Sequence, residues 1–173
     1  MGKRSNFERN PRDFYPTPKA AVLPLLGHLN LFGFGVNFIE PCAGDGRLIR
    51  HLETYGHKCV YACDIEPQAE GIEKQDALFF GFQMLACDMI ITNPPWQREI
   101  MHDMIERFRV HADTWLLFDS DWMFCKQAKP YLKNCAKIVS VGRVSWMDNG
   151  QAGMDNACWY KFVKEDVETI FCP

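Results

Sequence analysis

The chain has 173 residues, 47% of them apolar and 24% charged, with a formal net charge of −3. That length fits one domain with a real core, and the acidic balance excludes strong nucleic-acid binding by bulk charge. No apolar run is long enough to span a membrane and no secretory leader is visible, so a cytoplasmic protein is expected. The eight cysteines lack the two-residue spacing of a zinc knuckle, and the five histidines are scattered. The cysteines read as reduced, mostly buried small residues, and no metal site is expected.

Residues 1–13 are polar and read as a mobile arm. Its cations, Lys3, Arg4, Arg9 and Arg12, are either solvated or available to phosphates. The rest, 14–173, reads as a single domain. In Phe14-Tyr15-Pro16-Thr17-Pro18 two prolines fix an extended entry, and Thr17 is placed to cap a helix beginning at Pro18. Ala20 to His28 carries that helix, with Val22, Leu25, Leu26 and Leu29 at helical spacing and Pro24 as a possible kink. Gly33 and Gly35 mark a loop.

Val36 to Glu40 reads as a strand that runs into Pro41-Cys42-Ala43-Gly44-Asp45-Gly46, and Arg47 to Tyr55 continues as a helix. Strand, glycine turn and helix form the first unit of a doubly wound sheet. The glycine spacing is not a dinucleotide fingerprint, and a phosphate loop would need a Lys-Ser/Thr that is missing. Glu40 and Asp45 would repel a pyrophosphate and suit a ligand with a positive end. Lys58 to Cys63 is a second strand ending in Asp64. An acid 20 residues after Gly44, at the end of the second strand, is where such folds bind ribose hydroxyls. Gln68 to Ile72 reads as a short helix, and Lys74 to Ala77 as the loop after a weak third strand. Phe79, Phe80, Phe82, Met84 and Leu85 show no clear period.

Asp88 to Trp96 organises the chain. Met89, Ile90 and Ile91 read as a buried strand, and Asn93-Pro94-Pro95-Trp96 must leave the sheet, because proline has no N–H for the ladder. The result is a rigid turn presenting an amide, a free carbonyl and an indole at a strand end. Asn93 and the Pro94 carbonyl can accept the two N–H bonds of an exocyclic amine, and Trp96 can stack on its ring. An isolated Asn-Pro-Pro-Trp is equally a stiff turn whose aromatic packs into the core. Beyond it, Ile100 to Val110 reads as a helix and Thr114 to Phe118 as a buried strand opening into Asp119-Ser120-Asp121-Trp122. Met123 to Leu132 reads as a helix interrupted by Pro130. Lys137 to Val144 and Ala157 to Val163 read as an antiparallel pair joined by the loop Trp146 to Asp155.

Glu40-Pro41-Cys42-Ala43-Gly44-Asp45-Gly46 followed by Asn93-Pro94-Pro95-Trp96 resembles the signature motifs of S-adenosylmethionine-dependent amino-methyltransferases, most of which act on N6 of adenine in DNA. Tyr15-Pro16-Thr17-Pro18 resembles the N-terminal cofactor motif of one subgroup, and Gly142 to Trp146 with Asn156 to Tyr160 is similar to small, phage-type members. The resemblance implies a Rossmann-like class I methyltransferase fold: a seven-stranded, mostly parallel sheet with an antiparallel last strand and helices on both faces. It implies that Glu40, Gly44 and Gly46 line the methionine end of the cofactor, with Asp45 near. Thr17 would contact its carboxylate, Asp64 its ribose and Asp76 its adenine amine, with Tyr15, Pro41, Ile65 and Ala77 beside them. Asn93, Pro94 and Pro95 would hold the target amine and Trp96 would stack on the base.

The chain departs from the family in having Trp where Tyr or Phe is frequent, and in having no stretch long enough for a target-recognition domain. Recognition would then come from loops, a partner subunit or a second copy. Candidate substrate contacts are Gln97, Arg98, Ser120 to Trp122 and Arg143 to Asn156. Cytosine N4, RNA adenine and protein glutamine are alternative targets; a cofactor-binding but inactive or partner-dependent module is a second alternative, and a nucleotide-cofactor oxidoreductase, disfavoured by the glycine spacing, a third. For a phage-encoded chain the location would be the host cytoplasm.

Overall fold

The computed structural model describes residues 14–29, 33–79, 81, 85–147, 153 and 155–173. The arm 1–13, the aromatic stretch at Phe80, Phe82 and Met84, and most of the loop from Asp148 to Met154 lie outside the described residues. Helix α1 (Lys19–Leu26) precedes β1 (Asn37–Glu40), α2 (Arg47–Thr54), β2 (Lys58–Asp64) and β3 (Glu73–Lys74). Then come β4 (Met89–Thr92), α3 (Arg98–Phe108), β5 (Asp113–Asp119), α4 (Lys129–Leu132), β6 (Cys135–Gly142), β7 (Ala157–Phe162) and β8 (Ile170–Cys172).

The strands form one sheet in the order β3-β2-β1-β4-β5-β7-β6-β8. β1 pairs in parallel with β2 and β4, and β4 with β5. β7 runs antiparallel between β5 and β6. The expected seven strands are present, and an eighth, β8, adds to the edge parallel to β6. The chain winds outward from β1 to β3 and then returns to place β4 on the other side of β1. The crevice of a doubly wound sheet opens at such a reversal.

The central strands are buried on both faces, which is why they read as continuous apolar runs. Alternation along β4 sends Ile90 to one core and Met89 and Ile91 to the other. The first core packs α3 through Met101, Met104, Ile105 and Phe108, and the second packs α1 and α2 through Val22, Leu25, Leu48 and Leu52. Helices therefore cover both faces. Trp159 of β7 is fully buried and donates its indole N–H to the Ala21 carbonyl at 2.7 Å, which ties α1 down beside the site.

Several local expectations are corrected. Thr17 does not cap α1; Pro18 stands at the cap with no side-chain bond, and Thr17 is buried against a cavity. The helix runs through Pro24. Residues 68–72 form a turn rather than a helix, with Gly71 at φ 81°, in the left-handed region that breaks a helix. The expected helix over 123–132 is two 3-10 turns followed by α4, because Cys125 is extended at φ −75°, ψ 144°. Pro130 lies in the first turn of α4, where its missing N–H costs nothing. Among the described residues, no helix is long and apolar enough to cross a membrane.

Candidate functional site

The carboxyl ends of β1, β2 and β4 face one cavity of about 870 Å³. Each of these strands ends where an apolar run meets a polar residue: Glu40 on β1, Asp64 on β2 and Asn93 just after β4. Tyr15, Thr17, Pro41, Gly44, Asp45, Ile65, Asp76, Ala77 and Pro95 also line the cavity. Eleven of the twelve expected cofactor residues thus share one wall system. Gly46 is the exception. It stands at the N-cap of α2 with φ 74°, which favours glycine, and borders a separate shallow depression.

Glu40 is 1% exposed, and its Oε2 has no hydrogen-bond partner. Burial pushes its carboxyl well above the usual range, the Asp64 and Asp45 carboxylates push the same way, and the Ile49 N–H opposes them. Asp64 accepts the Gly44 N–H on one oxygen and the Glu66 N–H on the other, both at 2.8 Å. A carboxylate oxygen accepts more than one bond, so each retains a free lone pair. Asp45 caps the Arg47 N–H at 2.9 Å and pairs with the Arg47 and Arg50 guanidinium groups. Asp76 accepts the Leu78 N–H at 2.9 Å, which shapes the turn under Ala77. The lining is acidic, with Arg47 the one cation among the described lining residues.

Gly44 adopts φ 52°, and a Cβ there would lie 2.8 Å from Cε2 of Phe14. The Phe14 ring thus crosses the glycine turn closer than a Cβ there would allow without the ring shifting. The same N-terminal segment reaches β4: Asn93 Nδ2 donates to the Tyr15 carbonyl at 3.1 Å. Asn93 Oδ1 accepts the Trp96 indole N–H at 3.2 Å, and that N–H is shared with the Leu117 carbonyl at 3.1 Å. Trp96 is half-buried against both cores, edge-on to Trp146 at 5.5 Å, and does not line the cavity. Pro94 is buried and does not line the cavity.

Of the other expected substrate residues, Gln97 lines the cavity, and Arg98, Ser120, Trp122 and Arg143 fall outside it. Trp122 is a correction: it is 4% exposed, packs on Phe118 and Tyr160, and donates its indole N–H to His102 at 3.0 Å. It is a core residue. Ser120 is half-buried at the end of β5, where its N–H donates to Asn156, and Arg143 is exposed after β6. Arg98 is exposed at the start of α3, with its guanidinium 3.8 Å from the Cys125 sulfur. Burial raises the Cys59, Cys63 and Cys135 thiols to about 12, which makes them poor nucleophiles at neutral pH.

Sequence reasoning did not place Phe14, Gln68, Leu78, Ile100 or Met104 at the cavity, where all five lie. Ile100 and Met104 were readable as neighbours, being four apart on the apolar face of α3. Phe14 had no signal beyond its place ahead of the proline entry.

No protein-family model and no curated protein sequence matches the chain. Solved structures do. A provisionally assigned RNA methyltransferase from Pyrococcus horikoshii superposes with TM-score 0.65 at 14% identity, covering 94% of each chain. The modification subunit of a provisionally assigned type I restriction enzyme from Vibrio vulnificus gives 0.60 at 12%, over 90% of this chain and 45% of that one. A dimethyladenosine transferase from Plasmodium falciparum gives 0.56 at 14%, over 87% and 62%. The chain thus spans less than two thirds of the latter two. With the strand order and the antiparallel β7, these likenesses establish a Rossmann-like class I methyltransferase fold.

Proposed function

We propose that the chain transfers a methyl group from S-adenosylmethionine to an exocyclic amine of a nucleic-acid base, with N6 of adenine in DNA as the target. The observation that carries this reading is that Asn93 and Pro95 line the same cavity as Glu40, Gly44 and Asp64.

The residues present fit the cofactor. The partnerless Oε2 of Glu40 is an acceptor suited to an ammonium group. Asp64 has lone pairs for ribose hydroxyls, and the Asp76 turn with Ala77, Leu78, Ile100 and Met104 offers apolar walls to an adenine. The acidic lining disfavours phosphate-bearing ligands and suits a cation. When bound, S-adenosylmethionine supplies an electrophilic sulfonium methyl, so the hard chemistry belongs to the cofactor.

The chain's own contribution is position and polarity. An exocyclic amine is a poor nucleophile because its lone pair is delocalised into the ring. Asn93 Oδ1 and the Pro94 carbonyl would accept its N–H bonds, favour a tetrahedral nitrogen and stabilise the charge that develops there as the N–CH₃ bond forms and the S–CH₃ bond breaks to leave a neutral thioether. The nitrogen would then lose a proton to water. Trp96 would add stacking through its ring. A duplex base would have to leave the helix at a cost of about a few kcal/mol, whereas a single strand avoids most of it. Target recognition would come from a partner subunit, a second copy or exposed residues such as Arg98 and Arg143.

The test is transfer of labelled methyl from S-adenosylmethionine to duplex DNA, single-stranded DNA, RNA and total protein, followed by digestion. Label in N6-methyladenine from DNA is the expected result. Label in RNA adenine, in cytosine or in protein would refute the stated target and keep the class. Cofactor binding without transfer to any of them would refute turnover by the isolated chain.

A further inference from the structure

An asparagine side chain accepts hydrogen bonds at one end and donates at the other. A role for Asn93 as an acceptor therefore needs its amide held one way round. Two groups from distant parts of the chain do this. The Tyr15 carbonyl takes the Nδ2 donor at 3.1 Å, and the Trp96 indole N–H gives to Oδ1 at 3.2 Å. Flipping the amide would set donor against donor and acceptor against acceptor, losing both bonds. The indole is itself fixed by the Leu117 carbonyl of β5 at 3.1 Å, so the lock is anchored in the sheet. Oδ1 keeps a second lone pair for a substrate N–H.

We infer that Trp96 is a positioning residue whose indole N–H holds the Asn93 amide with its oxygen ready to accept. This rests on the proposed amine-methylating function. It gives Trp96 a task that phenylalanine cannot perform, since Phe keeps a stacking ring and carries no donor.

The experiment compares wild type with Trp96→Phe. Melting temperature and cofactor affinity by calorimetry show whether the variant folds and keeps its cavity. Protein labelled with ¹⁵N-asparagine then reports the Asn93 side-chain amide by NMR, assigned through the signal that Asn93→Ala removes. Trp96→Phe should speed exchange of that amide about tenfold, the loss expected for one neutral hydrogen bond. It should lower kcat for methyl transfer by a similar factor, with KM for the nucleic acid within about twofold. Unchanged amide exchange, or a raised KM with unchanged kcat, would overturn the inference and leave Trp96 as a stacking ring alone. Should wild type transfer no methyl to any substrate, the functional reading fails, and the amide exchange still decides whether the lock exists.

Discussion

Replacing Gly44 by alanine tests the cavity from two directions. The backbone there has φ 52°, in the left-handed region, and an added Cβ would meet Phe14 Cε2 at 2.8 Å and Cδ2 at 3.3 Å. Left-handed backbone costs a non-glycine residue about 1–2 kcal/mol. A domain of this size shifts in melting temperature by about 2–4 °C per kcal/mol, so Gly44→Ala should melt about 2–8 °C lower. The steric term behaves differently. Phe14 is 36% exposed and meets the added Cβ with the far edge of its ring, so moving that ring relieves the clash, which should add little to the melting shift. Moving the ring, however, removes a wall of the cavity. Cofactor affinity, measured by calorimetry, should therefore fall in Gly44→Ala. In a Phe14→Ala background the same glycine substitution should lower the melting temperature equally but reduce affinity less. A Gly44→Ala protein with melting temperature within about 1 °C of wild type and unchanged affinity would refute the reasoning.

Glu40→Gln should flatten the pH dependence of stability. The folded carboxyl is raised, so its contribution is fully present below the ordinary carboxylate range and is lost as pH rises toward the folded pKa. Without cofactor the variant should melt higher than wild type at pH 8 and bind cofactor more weakly; parallel melting curves from pH 4.5 to 8 would contradict this. Asn93→Ala should reduce methyl transfer by about a hundredfold or more. Its cofactor affinity should change by less than about tenfold, because one bond to the Tyr15 carbonyl goes; persistent transfer would remove Asn93 from the mechanism. Asp64→Ala should weaken cofactor binding by about 10–100-fold, the range for bonds to a charged acceptor, and unchanged calorimetric affinity would sink the ribose assignment.

The cavity was legible because its polar residues stand where apolar runs stop. Glu40, Asp64 and Asn93 each end an apolar run, and the order of the runs places those ends side by side. What the side chains do after leaving the strand was less legible. Trp122 follows β5 as Trp96 follows β4, and both read as substrate contacts. Trp122 turns inward because Phe118, Tyr160 and Phe162 offer it a pocket and His102 takes its N–H. Those partners lie on three other elements, and no local pattern announces them. β8 escaped for a related reason. Three residues have no readable period, and Ile170–Cys172 is a strand only because β6 offers it an edge. Phe14 was invisible as a wall of the cavity because its partner is a glycine 30 residues on.

The choice of an amide at the end of β4 follows from its surroundings. A carboxylate at position 93 would accept with either oxygen and need no orientation. It would also join Glu40, Asp45, Asp64 and Asp76 around one cavity, where the Glu40 carboxyl is already pushed up by two of them. A further negative charge would face more repulsion there, and a substrate that carries phosphates would meet the same field. A neutral amide supplies an acceptor without that charge, but only one of its ends accepts. The requirement for a lock is thus a consequence of the acidic cavity. The Tyr15 carbonyl and the Trp96 indole N–H meet it from opposite ends of the same side chain.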